Sequence, residues 1–452
     1  MRPADTVAAI ATPLGLGGIG IIRVSGPDAL TITQRLIRRK SRLIPNQLTH
    51  TTLRAPHTGD TIDDGCVVFF EGPRSYTGED VVEFHVHGSV HVLRRLLETL
   101  IIEGARPADP GEFTRRAFIA GKLDLTKAES VIDIIHSTSD RAHAVALNHL
   151  NGGLFREIET LRKPLMSILE QVEGSIDFPD EVDAIDRNEV KATLIQLRNR
   201  IQRTLNLKDF GRWIHSGIKC VIVGRPNAGK SSLMNQLAGE PRAIVSAIPG
   251  TTRDFIEVQI ELGGILFEFV DTAGIRETND PIELLGVKRV KSLIKKADLI
   301  VWVVDHSQPL TEEDRQIGAI LSRKTHKAIV LNKSDKRRKI DILQLPPKTP
   351  HISVSAKTGL GIREFKDFLI QTFVDKLDSV NLDLICNIRQ QSCLIVVLDH
   401  IKQLIDGIGC APNDDLFAFD LRQAILKLGE ITGDTFNETV LDGIFSRFCV
   451  GK

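Results

Sequence analysis

Several marks of common function classes are missing from this sequence. Its six cysteines (Cys66, Cys220, Cys386, Cys393, Cys410 and Cys449) are scattered, with no CxxC pair and no His/Cys group at zinc spacing. That argues against a disulfide scaffold or a zinc ribbon, and reduced thiols are the expectation. No apolar run approaches the ~20 residues a membrane helix needs, so no membrane partner is expected. Residues 1–13 lack the basic-then-apolar order of a secretory signal, which makes a cytoplasmic location the default. Net charge is missing too: 58 Lys and Arg oppose 58 Asp and Glu. Composition therefore carries no basic footprint of the kind nucleic-acid binders leave.

What is present points to a multidomain globular chain. A length of 452 residues is too great for one core and suggests about three domains. Residues 1–120 mix β-rich runs (6–12, 20–25, 66–70 and 81–86) with helical stretches at 28–40 and 89–103, as a compact α/β domain does. From 121 to 214 the texture is helical. Thr126-Lys127-Ala128-Glu129 has capping-box spacing, and Asn151-Gly152-Gly153 breaks the first long helix. Residues 175–183 separate the second helix from a third. Residues 215–378 alternate strands and helices, as a doubly wound parallel sheet does. Residues 379–452 turn helical again, over 382–406, 414–431 and 434–447. The simplest architecture is one helical domain interrupted by the α/β insert.

The insert carries the chemistry. The apolar run 218–223 leads into Gly224-Arg225-Pro226-Asn227-Ala228-Gly229-Lys230-Ser231-Ser232, a GxxxxGK[ST] loop between strand and helix. Its backbone N–H groups can curl around phosphate oxygens. Lys230 supplies a point charge, and Ser231 a magnesium ligand. Asp271-Thr272-Ala273-Gly274 ends the strand 265–270. Asp271 is placed to hold magnesium, and the Gly274 N–H to meet the γ-phosphate. Asn332-Lys333-Ser334-Asp335 ends the strand 328–331. A carboxylate at Asp335 accepts from guanine N1–H and N2–H₂, which adenine lacks, so GTP is selected over ATP. Ser355-Ala356-Lys357 follows a third strand, 351–354, and can meet the guanine oxygen. Between these motifs lies Ser246-Ala247-Ile248-Pro249-Gly250-Thr251-Thr252-Arg253-Asp254, in which Thr252 is the candidate to close over magnesium.

Hydrolysis needs a group that orients water. Many signalling GTPases use a glutamine just after the DxxG glycine, where this chain has Ile275. An apolar side chain cannot do that work. Arg276, Glu277, Glu283, a partner arginine or a metal cation all remain candidates on the residues alone.

Further motifs carry a resemblance along the whole chain. They include Ala11-Thr12-Pro13, Ile21-Ile22-Arg23-Val24-Ser25-Gly26, Ser75-Tyr76-Thr77-Gly78-Glu79-Asp80, Pro110-Gly111-Glu112-Phe113-Thr114 and Lys122-Leu123-Asp124-Leu125. Gly250-Thr251-Thr252-Arg253-Asp254, Leu428-Gly429-Glu430-Ile431-Thr432-Gly433 and Phe448-Cys449-Val450-Gly451-Lys452 complete the set. With them the chain resembles the MnmE (TrmE) tRNA-modification GTPases. The resemblance implies an N-terminal α/β folate-binding domain that dimerises, and a discontinuous α-helical domain with a Ras-like P-loop G domain inserted. It implies a homodimer that joins an FAD-dependent partner, MnmG, in a heterotetramer. It implies tRNA as substrate, modified at carbon 5 of the wobble uridine with a one-carbon unit from a tetrahydrofolate derivative (5-formyl or methylene form). It also implies that potassium replaces an arginine finger. Asn227, Ser246, Ile248 and Thr251 match the potassium ligands, and Glu283 the catalytic glutamate. Arg23, Glu79, Lys122 and Lys452 match the folate site, and Cys449 is a possible functional thiol. The chain departs from the pattern at Leu16, Ser246, Pro249 and Ser89.

Other signals weigh less. Gly15-Leu16-Gly17-Gly18-Ile19-Gly20 fits GxGxxG, but a strand rather than a helix is expected to follow, which argues against a dinucleotide. His85 and His87 share a strand face without a third metal ligand. The basic runs 38–40 and 336–339 read as solvated surface. A ribosome-assembly GTPase acting as an RNA-docked switch is the alternative function. Such relatives carry a KH-like domain or a second G domain, for which no segment is evident.

Overall fold

The computed structural model describes residues 5–37, 43–178, 186–239, 243–245, 257–271, 293–321, 326–375, 380–408 and 414–452. It divides into two compact units. One comprises residues up to Ile135 with 147–199 and 393–452; the other comprises 136–146 and 200–392. Among the described residues no helix is long and apolar enough to cross a membrane.

The first unit is built on a six-stranded sheet in the order β3-β4-β5-β2-β1-β6. Its strands are β1 (Val7–Ile10), β2 (Gly17–Ser25), β3 (Thr49–Arg54), β4 (Thr61–Phe70), β5 (Val81–Gly88) and β6 (Arg106–Pro107). All neighbours run antiparallel except β1 and β6. Strand alternation sorts β2 cleanly. Ile22 and Val24 face a core with Phe84, Leu93 and Leu96, under the helices Ala29–Ile37 and Val90–Ile102. Arg23 faces the other side, where Phe113 and Tyr76 lie over Val7 and Ala9. β3 escaped the sequence reading because Thr49–Arg54 buries only Leu53.

Helices dominate the rest of this unit. Gly153–Asp177 buries Leu154, Ile158, Leu161, Leu165, Ile168 and Val172, one stripe of i+3/i+4 steps. It packs along Asp414–Thr432. Two local expectations are corrected. The cap of helix Leu125–His136 is Asp124, not Thr126: Asp124 Oδ1 accepts from the Lys127 N–H at 3.0 Å and from the Thr126 hydroxyl. Thr126 is thus already helical, and an acceptor two residues earlier does the capping. The first helical stretch also breaks twice, at 137–139 as well as at Gly152, whose φ of 82° suits glycine.

The second unit holds a seven-stranded sheet in the order β13-β12-β11-β7-β10-β9-β8. The strands are β7 (Ile218–Val223), β8 (Ala243–Val245), β9 (Glu257–Leu262), β10 (Ile265–Asp271), β11 (Leu299–Asp305), β12 (Lys327–Asn332) and β13 (His351–Ser353). The first five in that order are parallel, and β9 and β8 are antiparallel additions. β11 is buried at every position, as a strand covered on both faces must be. From β7 the chain builds β8, β9 and β10 on one side and then β11, β12 and β13 on the other, so the strand order reverses at β7. That places a crevice at the carboxyl end of β7, where such sheets bind ligands.

Candidate functional site

The nucleotide motifs sit on neighbouring strand ends. β7 runs into the loop 224–229, and a helix starts at Lys230. Two glycines are required there. A Cβ at Gly224, whose φ is 155°, would lie 2.3 Å from the Val303 carbonyl oxygen. A Cβ at Gly229, whose φ is 95°, would lie 2.1 Å from Asn332 Nδ2. The Lys230 ammonium is 6% exposed and donates to the carbonyls of Gly224 at 2.8 Å and Arg225 at 3.0 Å. Burial pushes its pKa down, partly offset by Asp271. Phosphate oxygens are the acceptors that would exchange with those carbonyls. Ser231 donates its hydroxyl to Asp271 Oδ2 at 3.1 Å, so the end of β10 and the first helical turn present two oxygens side by side. That hard-oxygen pair suits magnesium.

The base-recognition motif is tied to the same loop. Asn332 Nδ2 donates to the Ala228 carbonyl at 2.9 Å, and Asn332 Oδ1 accepts from the Lys333 and Ala356 N–H groups at 2.8 and 3.0 Å. Lys333 Nζ donates to the Asn227 carbonyl at 2.8 Å. Asp335 Oδ1 accepts from the Ser355 hydroxyl at 2.7 Å, which holds its carboxyl below the usual range. Asn227, Ala228, Gly229, Lys230, Ser231, Asp271, Asn332, Lys333, Asp335, Ser355 and Ala356 thus form one continuous rim. Ser232 and Lys357 are exposed beside it. Ser246 to Thr252, Thr272 to Gly274 and Glu283 lie outside the described residues.

The residues matched to folate lie in the first unit. Arg23 makes a two-pronged contact with Glu83, at 2.9 Å from Nε and 2.8 Å from Nη2, and donates from Nη1 to the Gly451 carbonyl at 3.3 Å. Its guanidinium lies 5.7 Å from the Tyr76 ring centre and 5.6 Å from that of Phe113. Burial, and then Arg23, lower the pKa of Lys452. The tail is seated closely: a Cβ at Gly451 would stand 2.5 Å from the Ile10 carbonyl oxygen. Glu79 accepts from Arg116 at 3.2 and 3.0 Å and from the Ser25 hydroxyl at 2.7 Å. Lys122 Nζ donates to the Pro73 carbonyl at 2.7 Å, and its stem passes 3.8 Å from where a Cβ on Gly78 would be. Cys449 is exposed. Arg23 is therefore bonded to the tail that ends at Lys452, near enough for the two charges to repel, while Glu79 and Lys122 flank the Gly78 turn.

Sequence reasoning passed over three residues that hold the predicted ones: Glu83 under Arg23, Arg116 under Glu79 and Asp305 under Lys333. Glu83 stands directly across β2/β5 from Arg23, so strand alternation would have found it once the pairing was known. The weaker signals resolve simply. Gly15 to Gly20 run into β2, which begins at Gly17. His85 meets Glu83 at 3.4 Å and His87 meets Asp63 at 2.8 Å.

Comparison with known proteins now bears on these arrangements. A model of the MnmE helical domain matches residues 125–449, and a model of the GTP-binding protein TrmE N-terminus matches residues 6–122. The tRNA modification GTPase MnmE of Thermotoga petrophila is 40% identical, covering 99% of this chain and 100% of its own. That of Natranaerobius thermophilus is 42% identical, covering 99% of each. Among solved structures, the G domain of the Thermotoga maritima FeoB iron transporter is 27% identical over 34% of this chain and 97% of its own, with a TM-score of 0.28. Aquifex aeolicus Era bound to GDP and AlF4⁻ is 25% identical over 41% of this chain and 67% of its own, also at 0.28. The two family models between them span nearly the whole chain, and the curated relatives match end to end: the chain belongs to the MnmE (TrmE) family of tRNA modification GTPases.

Proposed function

We propose that this GTPase is the GTP-hydrolysing subunit of a complex that modifies carbon 5 of the tRNA wobble uridine. The products are aminomethyl or carboxymethylaminomethyl uridines. The one-carbon unit comes from a tetrahydrofolate derivative, and the FAD-dependent partner is MnmG. The observation that carries the nucleotide part is the tie between Asn332 and the Ala228 carbonyl, which makes the phosphate loop and the base loop one surface. In hydrolysis, a water oxygen bonds to the γ-phosphorus and the bond to the β–γ bridging oxygen breaks. The Lys230 ammonium meets the charge that moves onto the β-phosphate. Ser231, Asp271 and Thr252 would hold magnesium, which neutralises phosphate charge when bound. Asn227, Ser246, Ile248 and Thr251 would hold potassium, and Glu283 orients water indirectly.

The folate part is supported by the bond of Arg23 to the tail that ends at Lys452, and by Glu79 accepting from Ser25, which lies on the same face of β2 as Arg23. Two cations suit the glutamate carboxylates of folate, and a carboxylate suits the amino-pyrimidinone edge of its pterin. Two measurements test the reading. GTP turnover rises sharply in potassium over sodium; equal rates would remove the cation site. Deleting the gene strips the wobble-uridine modification from bulk tRNA, read by nucleoside mass spectrometry. Unchanged nucleosides would favour an RNA-docked assembly switch instead.

A further inference from the structure

β11 ends at Asp305, a carboxylate only 2% exposed and named by no nucleotide motif. Both of its oxygens are engaged. Oδ1 accepts from the Ser307 N–H at 2.9 Å and from the Ser307 hydroxyl at 2.7 Å. Oδ2 accepts from Lys333 Nζ at 2.7 Å, and the same ammonium donates to the Asn227 carbonyl at 2.8 Å. Burial works against ionisation of Asp305, but Lys333 and the Ser307 donors outweigh it and hold the carboxyl below its usual range.

The two loops that this ammonium joins are both held in a restricted conformation. Lys333 has φ 65° and Asn227 has φ 61°, in the left-handed region that a lysine seldom adopts and an asparagine adopts more readily. With its ammonium anchored at the far end, the aliphatic stem of Lys333 is held extended between the two loops. Asp305 is the buried counter-charge that draws the ammonium towards the phosphate loop. No other carboxylate is bonded to Lys333 Nζ among the described residues.

We propose that Asp305 is a positioning residue for the guanine nucleotide: it pins Lys333 Nζ against the Asn227 carbonyl, locks the base loop to the phosphate loop, and so sets how long the nucleotide stays bound. This rests on the reading of Asn332–Lys333–Ser334–Asp335 as the base-recognition loop.

The test uses the full chain and a fluorescent (methylanthraniloyl) GDP, with dissociation followed by stopped flow. Asp305→Ala speeds dissociation at least ~10-fold, because it removes one partner of a buried ion pair. It raises KM for GTP by a similar factor, while kcat at saturating GTP stays within about twofold, since Asp305 acts on binding and not on the reacting atoms. Asp305→Asn, which keeps the shape and one acceptor but not the charge, falls between wild type and Asp305→Ala; it also serves if the alanine variant does not fold. On a Lys333→Ala background, Asp305→Ala adds nothing further. A merely structural Asp305 would add its full effect on that background, and that result overturns the proposal, as does unchanged dissociation in both single variants. Asp335→Asn separates the two levels. If it leaves GDP affinity intact, the base-loop reading itself fails. If it weakens GDP while the Asp305 variants do not, only the role of Asp305 fails.

Discussion

Gly229→Ala isolates how the phosphate loop and the base loop depend on each other. At φ 95° a side chain adopts a left-handed conformation, which costs ~1–2 kcal/mol for an L-residue. The new Cβ would also stand 2.1 Å from Asn332 Nδ2, so that amide must move. Asn332 is 2% exposed, and moving it breaks its 2.9 Å bond to the Ala228 carbonyl. Leaving such buried groups unpaired costs ~1–3 kcal/mol. Together the change amounts to ~2–5 kcal/mol, equivalent to a ~30- to ~4,000-fold loss of GDP affinity if it falls on binding. Gly359→Ala is the control. Its φ of 82° carries the same backbone strain, yet its Cβ would meet nothing nearer than Gln236 Oε1 at 3.6 Å. Isothermal titration with GDP, alongside thermal melting, reads both variants. The control melts a few degrees lower, by ~2–4 °C per kcal/mol, and binds GDP within about threefold of wild type. If Gly229→Ala also binds within threefold and melts like the control, Asn332 is not the constraint and the reasoning is wrong.

Two other changes have measurable outcomes, the first drawn from the structure and the second from the proposed role of Glu283. Asp5 is held below the usual carboxylate range chiefly by its bond to Arg106; at Glu112 burial is the largest single influence and opposes ionisation, but Arg106, the Asp109 N–H and Arg116 together outweigh it. Depressed carboxyls stabilise the fold fully above their unfolded values, ~4, and lose that contribution as pH falls through the folded ones. The gap in urea midpoint between wild type and Arg106→Gln therefore narrows as pH drops from ~5 to ~3, and a constant gap would refute the assignment. Glu283→Ala is expected to lose turnover and keep nucleotide affinity; loss of binding in a GDP titration would give Glu283 a structural role instead.

The two sites differed in how far the sequence disclosed them, and the reason is physical. The nucleotide site is assembled from strand ends, and each strand end carries its motif within a few consecutive residues. Gly224 to Ser231 lie on one strand–loop–helix, Asp271 ends β10, and Asn332 ends β12. A parallel sheet sets those ends side by side without further instruction, so reading the motifs in order was close to reading the rim. What stayed hidden was the stitching. Asn332 reaches Ala228 across 104 positions, and Asp305 reaches Lys333 across 28. Neither link has a local pattern: Asp305 reads simply as the polar end of the apolar strand β11.

The other site obeys the opposite logic. Arg23 receives the Gly451 carbonyl from 428 positions away, and Glu79 is held by Arg116, 37 positions on and just past the motif that opens its helix. No periodicity or spacing joins residues so distant, so only the family resemblance joins Arg23 to Lys452 from the sequence. The structure pairs Arg23 with Glu83 and adds the tail. These contacts have different consequences. Glu83 lies across the sheet from Arg23 and forms its pair as soon as β2 and β5 meet. The Gly451 contact waits for the last residues to seat over Ile10. Arg23 is thus oriented twice, by Glu83 on the neighbouring strand and by the Gly451 carbonyl of the distant tail. The same division appears in the nucleotide unit, where Ser307 orients Asp305 locally and Lys333 ties it to a distant loop. In both units the residue expected to face the ligand is aimed by an opposite charge, half-buried at Glu83 and buried at Asp305, and that charge is the part that sequence motifs do not name.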